Sequence, residues 1–141
     1  MLHLDSFDVS DLLGHVQMMT REAVRRRGTI LVIEREKEAG WMVGDAVRLK
    51  QTLFHLISGA LKTLAGDRIT LSAERSSGEV VFAVRHTARS EARGLGLGIY
   101  LAQRIAELHG GALELAVEAD ESVVRCRLPA GGAASQAASG S

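Results

Sequence analysis

Cysteine and proline are almost absent from this chain, since each occurs once, as Cys126 and Pro129. One cysteine cannot form an internal disulfide, which excludes a disulfide-stapled secreted scaffold and favours the reducing cytoplasm. Cys126 lies in an alternating apolar and polar run, so we expect a buried strand residue rather than a reactive thiol. Aromatic residues make up only 4% of the chain, so the core must be built from aliphatic side chains.

An excess of charge of one sign is also absent, because seventeen Lys and Arg residues balance seventeen Asp and Glu residues. No overall field attracts nucleic acid or an anionic membrane, and we expect neither as a partner. No apolar run approaches the roughly 20 residues that cross a bilayer, and no signal peptide opens the chain. These absences predict a cytoplasmic domain, even if a longer parent protein is tethered to a membrane.

What the chain does contain is a periodic pattern of apolar residues that predicts three long helices. The first helix is capped by Asp8 or Ser10 and ends at Gly28. The second follows Asp45 and runs from about 46 to 65, and the third ends at the glycine pair 110–111.

Strands are predicted between and after these helices. They cover residues 30–33, 69–73, 80–84, 113–117 and 122–128, with a short segment at 41–43. Two adjacent strand pairs have hairpin-length connections, which favours a mixed, mostly antiparallel sheet over a doubly wound parallel one. The sequence therefore predicts an α/β two-layer sandwich with three main helices on one face, over residues 1–130. Residues 131–141 have no hydrophobic pattern and are predicted to be a disordered tail.

Three glycines at alternate positions, Gly94, Gly96 and Gly98, precede the third helix. A helix N-terminus presents unpaired N–H groups and a partial positive charge, so this arrangement is typical of phosphate binding. The alternative is a tight turn that lets the helix pack on the sheet. A single glycine-rich motif does not distinguish the two.

Four segments, taken in order, resemble the catalytic ATP-binding domain of sensor histidine kinases. They are Phe7–Leu13, Gly44–Leu53, Gly94–Ile99 and Ala106–Gly111. The resemblance covers nearly all of residues 1–130 and implies the Bergerat-type sandwich of the GHKL ATPases. That fold agrees with the layout that the periodicity predicts. The resemblance also implies a role in two-component signalling.

The long helix departs from the pattern of that family, in which two asparagines four residues apart and a lysine three residues later face the triphosphate and its magnesium ion. The corresponding residues here are His55, Gly59 and Lys62, which share one helix face. Only the lysine matches. Imidazole is a poor ligand for magnesium, and glycine offers no side chain.

The first glycine box of the family also differs here. Its aspartate accepts a hydrogen bond from the adenine amino group, whereas this chain has His86, followed by Ala88 and Ser90 at the two glycine positions. A protonated histidine can only donate, and an added Cβ narrows the pocket. Only three residues, Glu91–Arg93, stand where the family has a long mobile lid, and loss of a lid costs catalysis.

These departures predict a degenerate domain of a histidine pseudokinase, with lost or weak ATP binding, that acts mainly as a regulatory protein-binding module and not as an enzyme. The vestigial nucleotide-binding residues would be His55, Gly59, Lys62, His86, Ala88, Gly94, Gly96 and Gly98. The partners that the resemblance implies are a response regulator receiver domain or the helical dimerisation domain of the parent kinase. We expect no cofactor and no metal, because two histidines without a carboxylate or thiolate rarely hold a metal ion.

The alternative is a functional ATP-binding domain that uses ATP and magnesium to phosphorylate a histidine on a separate dimerisation domain. In this family the acceptor histidine is followed by an acidic residue and a nearby proline. None of the five histidines here has that context. We therefore expect the acceptor and dimerisation domain to lie elsewhere in a longer parent protein.

Overall fold

The computed structural model describes residues 2–34, 36–88 and 97–131, and the structural statements below concern these residues. In chain order they form β1 (Asp5–Asp8), α1 (Val9–Arg26), β2 (Ile30–Glu34), α2 (Glu36–Ala39), β3 (Trp41–Gly44), α3 (Ala46–Thr63), β4 (Leu64–Ser76), β5 (Glu79–Ala88), α4 (Leu97–Leu108), β6 (Ala112–Glu118) and β7 (Glu121–Pro129). None of these helices combines the length and apolar character that crossing a membrane requires.

The main sheet has five strands in the order β2, β4, β5, β7, β6. β2 runs parallel to β4, and the other three neighbouring pairs are antiparallel. The predicted mixed, mostly antiparallel sheet is therefore confirmed. β1 pairs with β3 in a separate two-stranded sheet. Neither β1 nor the four-residue α2 was predicted, because both are too short and too polar to show a period.

The core lies between one face of the main sheet and the three long helices, as predicted. Alternate residues of β4, β5 and β7 are buried together with apolar residues of α1, α3 and α4 in a single cluster. Cys126 belongs to this cluster, and burial raises the pKa of its thiol to about 12. The prediction that Cys126 is a buried strand residue is confirmed.

The opposite face of the sheet is covered by ion-paired side chains. Arg125 donates two hydrogen bonds to the carboxylate of Glu118, at 2.9 and 2.8 Å, and Arg127 lies 3.1 Å from Glu114. Val81 and Val123 share this face and are only 7% and 1% exposed. Exposed ion pairs contribute little individually, but their aliphatic stems shield the apolar residues of the sheet from water.

The helix ends agree with the local signals, apart from one. The Asp8 side chain accepts a hydrogen bond from the Ser10 N–H at 2.8 Å, so Asp8 is the cap of α1. Gly28 and Gly110 adopt φ angles of 64° and 77°, the left-handed conformation that ends a helix. The predicted end of the second helix near residue 65 was wrong, because β4 begins at Leu64 directly after α3.

Asp45 and His109 join the beginning of α3 to the end of α4. The main-chain N–H of Asp45 donates to His109 Nε2 at 3.0 Å, and His109 Nδ1 donates to the Ile105 carbonyl at 2.8 Å. The Asp45 carboxylate accepts hydrogen bonds from the main-chain N–H groups of His3, at 2.9 Å, and Arg48, at 3.1 Å. We call these four hydrogen bonds the Asp45–His109 clasp. The clasp links the N-terminal segment, α3 and α4, and each polar group in it has a hydrogen-bond partner.

We expect Asp45→Ala to lower the free energy of unfolding by about 2–4 kcal/mol at neutral pH, because it removes a helix cap and a buried acceptor. Burial acts to raise the pKa of this carboxyl, but the hydrogen bonds from His3 and Arg48 outweigh burial, so the net pKa lies below its usual 3.8. The carboxylate thus contributes stability at a pH above its unfolded pKa, and this contribution is lost as the pH falls through the folded pKa.

Urea unfolding of the wild type and of Asp45→Ala between neutral pH and about pH 3 tests this expectation. The difference in stability between the two should shrink as the pH falls below the ordinary aspartate pKa. Asp67→Ala is the control, because Asp67 is exposed and makes no ion pair with a described residue. A difference that stays constant with pH would contradict the assignment.

Candidate functional site

The site residues predicted from the sequence come from α3, the end of β5 and the start of α4. His55, Gly59 and Lys62 lie on α3, where His55 is half-buried and the other two are exposed. His86 lies on β5, and Gly98 is the second residue of α4.

Three of the predicted positions are less fully described. Ala88 is the last residue of β5 and stands opposite Leu64 in the register with β4. Gly94 and Gly96 lie outside the described residues, as does the segment predicted to be a shortened lid.

Gly98 packs directly against the backbone of α3. A Cβ on Gly98 would lie 2.8 Å from the His55 carbonyl oxygen and 2.9 Å from the Leu56 nitrogen. Both distances are shorter than any ordinary contact of a Cβ, so the two helices can approach this closely only where α4 has glycine. At Gly98, helix packing is therefore a sufficient reason for the glycine, whatever ligand the motif binds.

His86 is buried, with 8% of its surface exposed, and its side chain faces the helices. Its Nε2 lies 3.1 Å from the Thr63 hydroxyl at the end of α3. Its Nδ1 has no hydrogen-bond partner among the described residues. Burial, which disfavours the charged imidazole, lowers the pKa of His86 more strongly than the negative charge of Glu121 raises it.

The face of α3 that carries His55, Gly59 and Lys62 offers few ligands. The His55 ring stands edge-on to the Phe54 ring, with the centroids 5.4 Å apart. A Cβ on Gly59 would meet no atom within 4 Å, so this position is open space. Nowhere in residues 2–34, 36–88 and 97–131 do three His, Cys, Asp or Glu residues form a group that could hold a metal ion.

Sequence reasoning missed Thr63, the partner of His86, and the clasp between Asp45 and His109. Thr63 is separated from His86 by 23 residues, and its only local signal is its position in the last turn of α3. The clasp is formed by two of the segments that carry the family resemblance. Part of that resemblance therefore reflects residues that hold the helices together.

Comparison with known proteins identifies the family to which this fold belongs. Residues 44–132 match the model of the family described as histidine kinase-, DNA gyrase B- and HSP90-like ATPase, which is more than half of the chain. The chain belongs to this ATPase family. Sensor protein DivL of Caulobacter vibrioides is 36% identical to this ATPase-family chain over 146 residues, which cover 91% of the chain and 19% of DivL. The chain thus spans about a fifth of the length of that curated relative.

Solved histidine kinases share the fold. The catalytic domain of histidine kinase ThkA, in a nucleotide-free form, has a TM-score of 0.81 and 20% identity, over 92% of this chain and 97% of that one. ThkA in complex with the response regulator protein TrrA has a TM-score of 0.76 and 19% identity, over 90% of this chain and 42% of that one. At this identity the likeness shows the fold, and the α/β sandwich of a histidine kinase ATPase domain is confirmed.

The packing of Gly98 predicts that Gly98→Ala lowers the free energy of unfolding by about 1–3 kcal/mol, because α4 must move away from α3. Gly59→Ala is the matched control on the neighbouring helix. The added Cβ enters open space, so we expect Gly59→Ala to raise the free energy of unfolding by roughly 0.5–1 kcal/mol, because alanine lowers the backbone entropy of the unfolded chain. Chemical denaturation measures both, and a neutral Gly98→Ala would refute the close packing.

The buried imidazole of His86 also predicts a loss of stability at low pH, but the cause differs from that at Asp45. Burial disfavours the charged form of His86, whereas hydrogen bonds favour the charged form of Asp45. Because the folded pKa of His86 is lowered, stability falls as the pH drops below the ordinary histidine value of 6.5, where the unfolded chain binds a proton that the folded chain does not. His86→Gln should remove this part of the pH dependence, whereas His15→Gln, at an exposed site, should not. Unfolding curves from pH 8 to 5 that are parallel for wild type and His86→Gln would show that His86 is not the titrating group.

Proposed function

We propose that this chain is a degenerate ATP-binding-like domain of a two-component histidine pseudokinase, which has lost or weakened nucleotide binding and acts mainly as a regulatory protein-binding module. The observation that carries the proposal is the state of His86. At the position where the family has an acceptor for the adenine amino group, this chain has a buried imidazole whose Nε2 is engaged with Thr63. A carboxylate is replaced by a group of different polarity and shape.

The residues on α3 support the same conclusion for magnesium. A hard cation requires oxygen ligands, and neither the imidazole of His55 nor the bare backbone of Gly59 supplies one from a side chain. Lys62 is exposed and is the one member of this set that matches the family. The side chains present do not fit a magnesium–nucleotide complex, so we propose neither a cofactor nor a phosphoryl-transfer step.

A protein-binding role is consistent with the relatives. DivL is named a sensor protein, and ThkA has been seen in complex with a response regulator protein. For this chain we propose a response regulator receiver domain or the helical dimerisation domain of the parent kinase as partner, in the cytoplasm. The helix that follows Asp8, α1, is the candidate contact surface.

The alternative function is an active ATP-binding domain that phosphorylates a histidine on a separate domain. It is favoured by the exposed Lys62 and by family membership. Under this alternative, ATP and magnesium would bind on the face of α3 that carries His55, Gly59 and Lys62.

Titration with a non-hydrolysable ATP analogue and magnesium separates the two functions. At a ligand concentration 100 times the dissociation constant, a real site raises stability by about 2.7 kcal/mol, which thermal unfolding detects easily. We expect no shift at millimolar nucleotide and no heat of binding in calorimetry. Saturable binding that Lys62→Ala weakens would overturn the proposal, with Lys37→Ala as the control for another exposed lysine.

A variant that restores the family residues is the matched positive control. His55→Asn, Gly59→Asn and His86→Asp together return the two magnesium-facing amides and the adenine acceptor. The position of Gly59 can accept a side chain without a clash. Tighter binding of the magnesium nucleotide to this variant than to wild type would assign the loss to these three residues.

A further inference from the structure

The strand β2 is an edge of the main sheet that lacks the usual protection. Its only neighbour among the described strands is β4, so one row of its N–H and C=O groups faces outward. Natural edge strands are normally blocked by charged residues, proline or a bulge. Ile30–Ile33 is instead an uninterrupted aliphatic run, and Ile30 is 55% exposed.

A groove of about 380 Å³ lies beside this edge, between β2 and α1. Its floor is formed by Val24, Thr29 and Leu31, which are buried or half-buried. Its rim is formed by exposed polar residues that include Arg21 and Arg25. We call this feature, with the outer edge of β2, the β2 groove. Its floor combines the apolar side chains of Val24 and Leu31 with the buried hydroxyl residue Thr29, and this floor and the polar rim match one face of an additional strand.

The rim has a surplus of positive charge. Arg25 and Arg26 share a single carboxylate, that of Glu22, at 2.5 and 3.7 Å. Arg21 makes no ion pair with any described residue, and Arg68 is exposed on β4 opposite Ile30. The acidic residues near by are Asp67, next to Arg68, and Glu34 at the far end of β2. Because the whole chain is neutral, this local surplus is a property of the groove and not of the protein.

We infer that the β2 groove binds an extended, acidic segment of a partner protein, which adds a sixth strand to the sheet. Its main chain would pair with the open edge of β2, and alternate apolar side chains would contact Val24 and Leu31. Because Arg21 and Arg25 line the same groove as Val24 and Leu31, its carboxylates would lie on that same face of the strand, at further alternate positions. There they would contact Arg21 and Arg25, and charge-assisted hydrogen bonds are stronger than neutral ones.

A second copy of this chain is a poorer occupant of the groove. The opposite edge of the sheet, β6, has exposed Leu115 and Val117 and carries two glutamates. However, Glu114 and Glu118 are already paired with arginines of β7 in the same chain. They are not free to neutralise Arg21, so charge complementarity favours a different protein.

This inference rests on the proposed protein-binding role only in naming a kind of partner. Its test uses no nucleotide, so it can fail while the loss of nucleotide binding stands, and the reverse is also true.

The probe is a fluorescent seven-residue peptide that carries glutamate at positions 1 and 7, valine at positions 3 and 5 and threonine between them, so that glutamate and valine share one face of the strand. We expect saturable binding by anisotropy, with slower hydrogen exchange of β2 amides. Reversal of two exposed charges, Arg21→Glu with Arg25→Glu, should weaken binding at least tenfold. Arg104→Glu, which reverses an exposed arginine on α4, is the matched control and should leave affinity unchanged. A peptide of the same sequence, N-methylated at every residue, has no amide N–H on either edge to donate to β2 and should not bind.

Several results would overturn the inference. They are absence of saturable binding up to millimolar peptide, equal affinity for the charge-reversed variant, or equal affinity of the methylated peptide. Sedimentation of the wild type and of the charge-reversed variant, without peptide, decides the remaining case. A dimer that the charge reversal dissociates, together with no binding of the peptide, would assign the groove to a second copy and overturn the inference.

Discussion

The hydrogen bond from the Asp45 main chain to the ring of His109 is the constraint on which the arrangement of the helices depends. α3 and α4 are separated by a long stretch of strands, and the clasp fixes the start of one relative to the end of the other. With that position fixed, α4 can pass over His55 at a distance that only Gly98 permits. The clasp, the close crossing of the two helices and the site residues on α3 are therefore parts of one packed unit.

Much of the fold could be predicted, because its signals are local. The caps at Asp8, Asp45 and Gly110 depend on a few neighbouring residues, and hairpin-length connections decide between antiparallel and parallel pairing. β1 could not be predicted, since its four residues become a strand only by pairing with β3, more than thirty residues away. The boundary between α3 and β4 was also misplaced, because a helix that passes directly into a strand leaves no turn residue to mark its end.

The candidate site was predictable as a set of positions and not as a set of contacts. Helical spacing was sufficient to place His55, Gly59 and Lys62 on one face. It gave no indication that Thr63 would engage His86, or that Gly98 would be required by α3. A glycine that serves two purposes remains necessary when one of them is lost. The contact with α3 therefore requires glycine at position 98 whether or not the motif binds a phosphate.

The charged residues of α1 are unevenly distributed along the helix. Asp8 and Asp11 stand at the first turn of α1, and Arg25 and Arg26 at its last turn, about 27 Å away at 1.5 Å per residue. The paired charges on the outer face of the sheet cancel over a few ångströms, whereas Arg25 and Arg26 share the one carboxylate of Glu22 and keep a net positive charge at their end of the helix. The separation between the two ends of α1 exceeds the screening length of roughly 8 Å at physiological ionic strength. Each end of α1 therefore acts as a separate pole, and a charged partner would be turned toward one end of the helix before any contact forms.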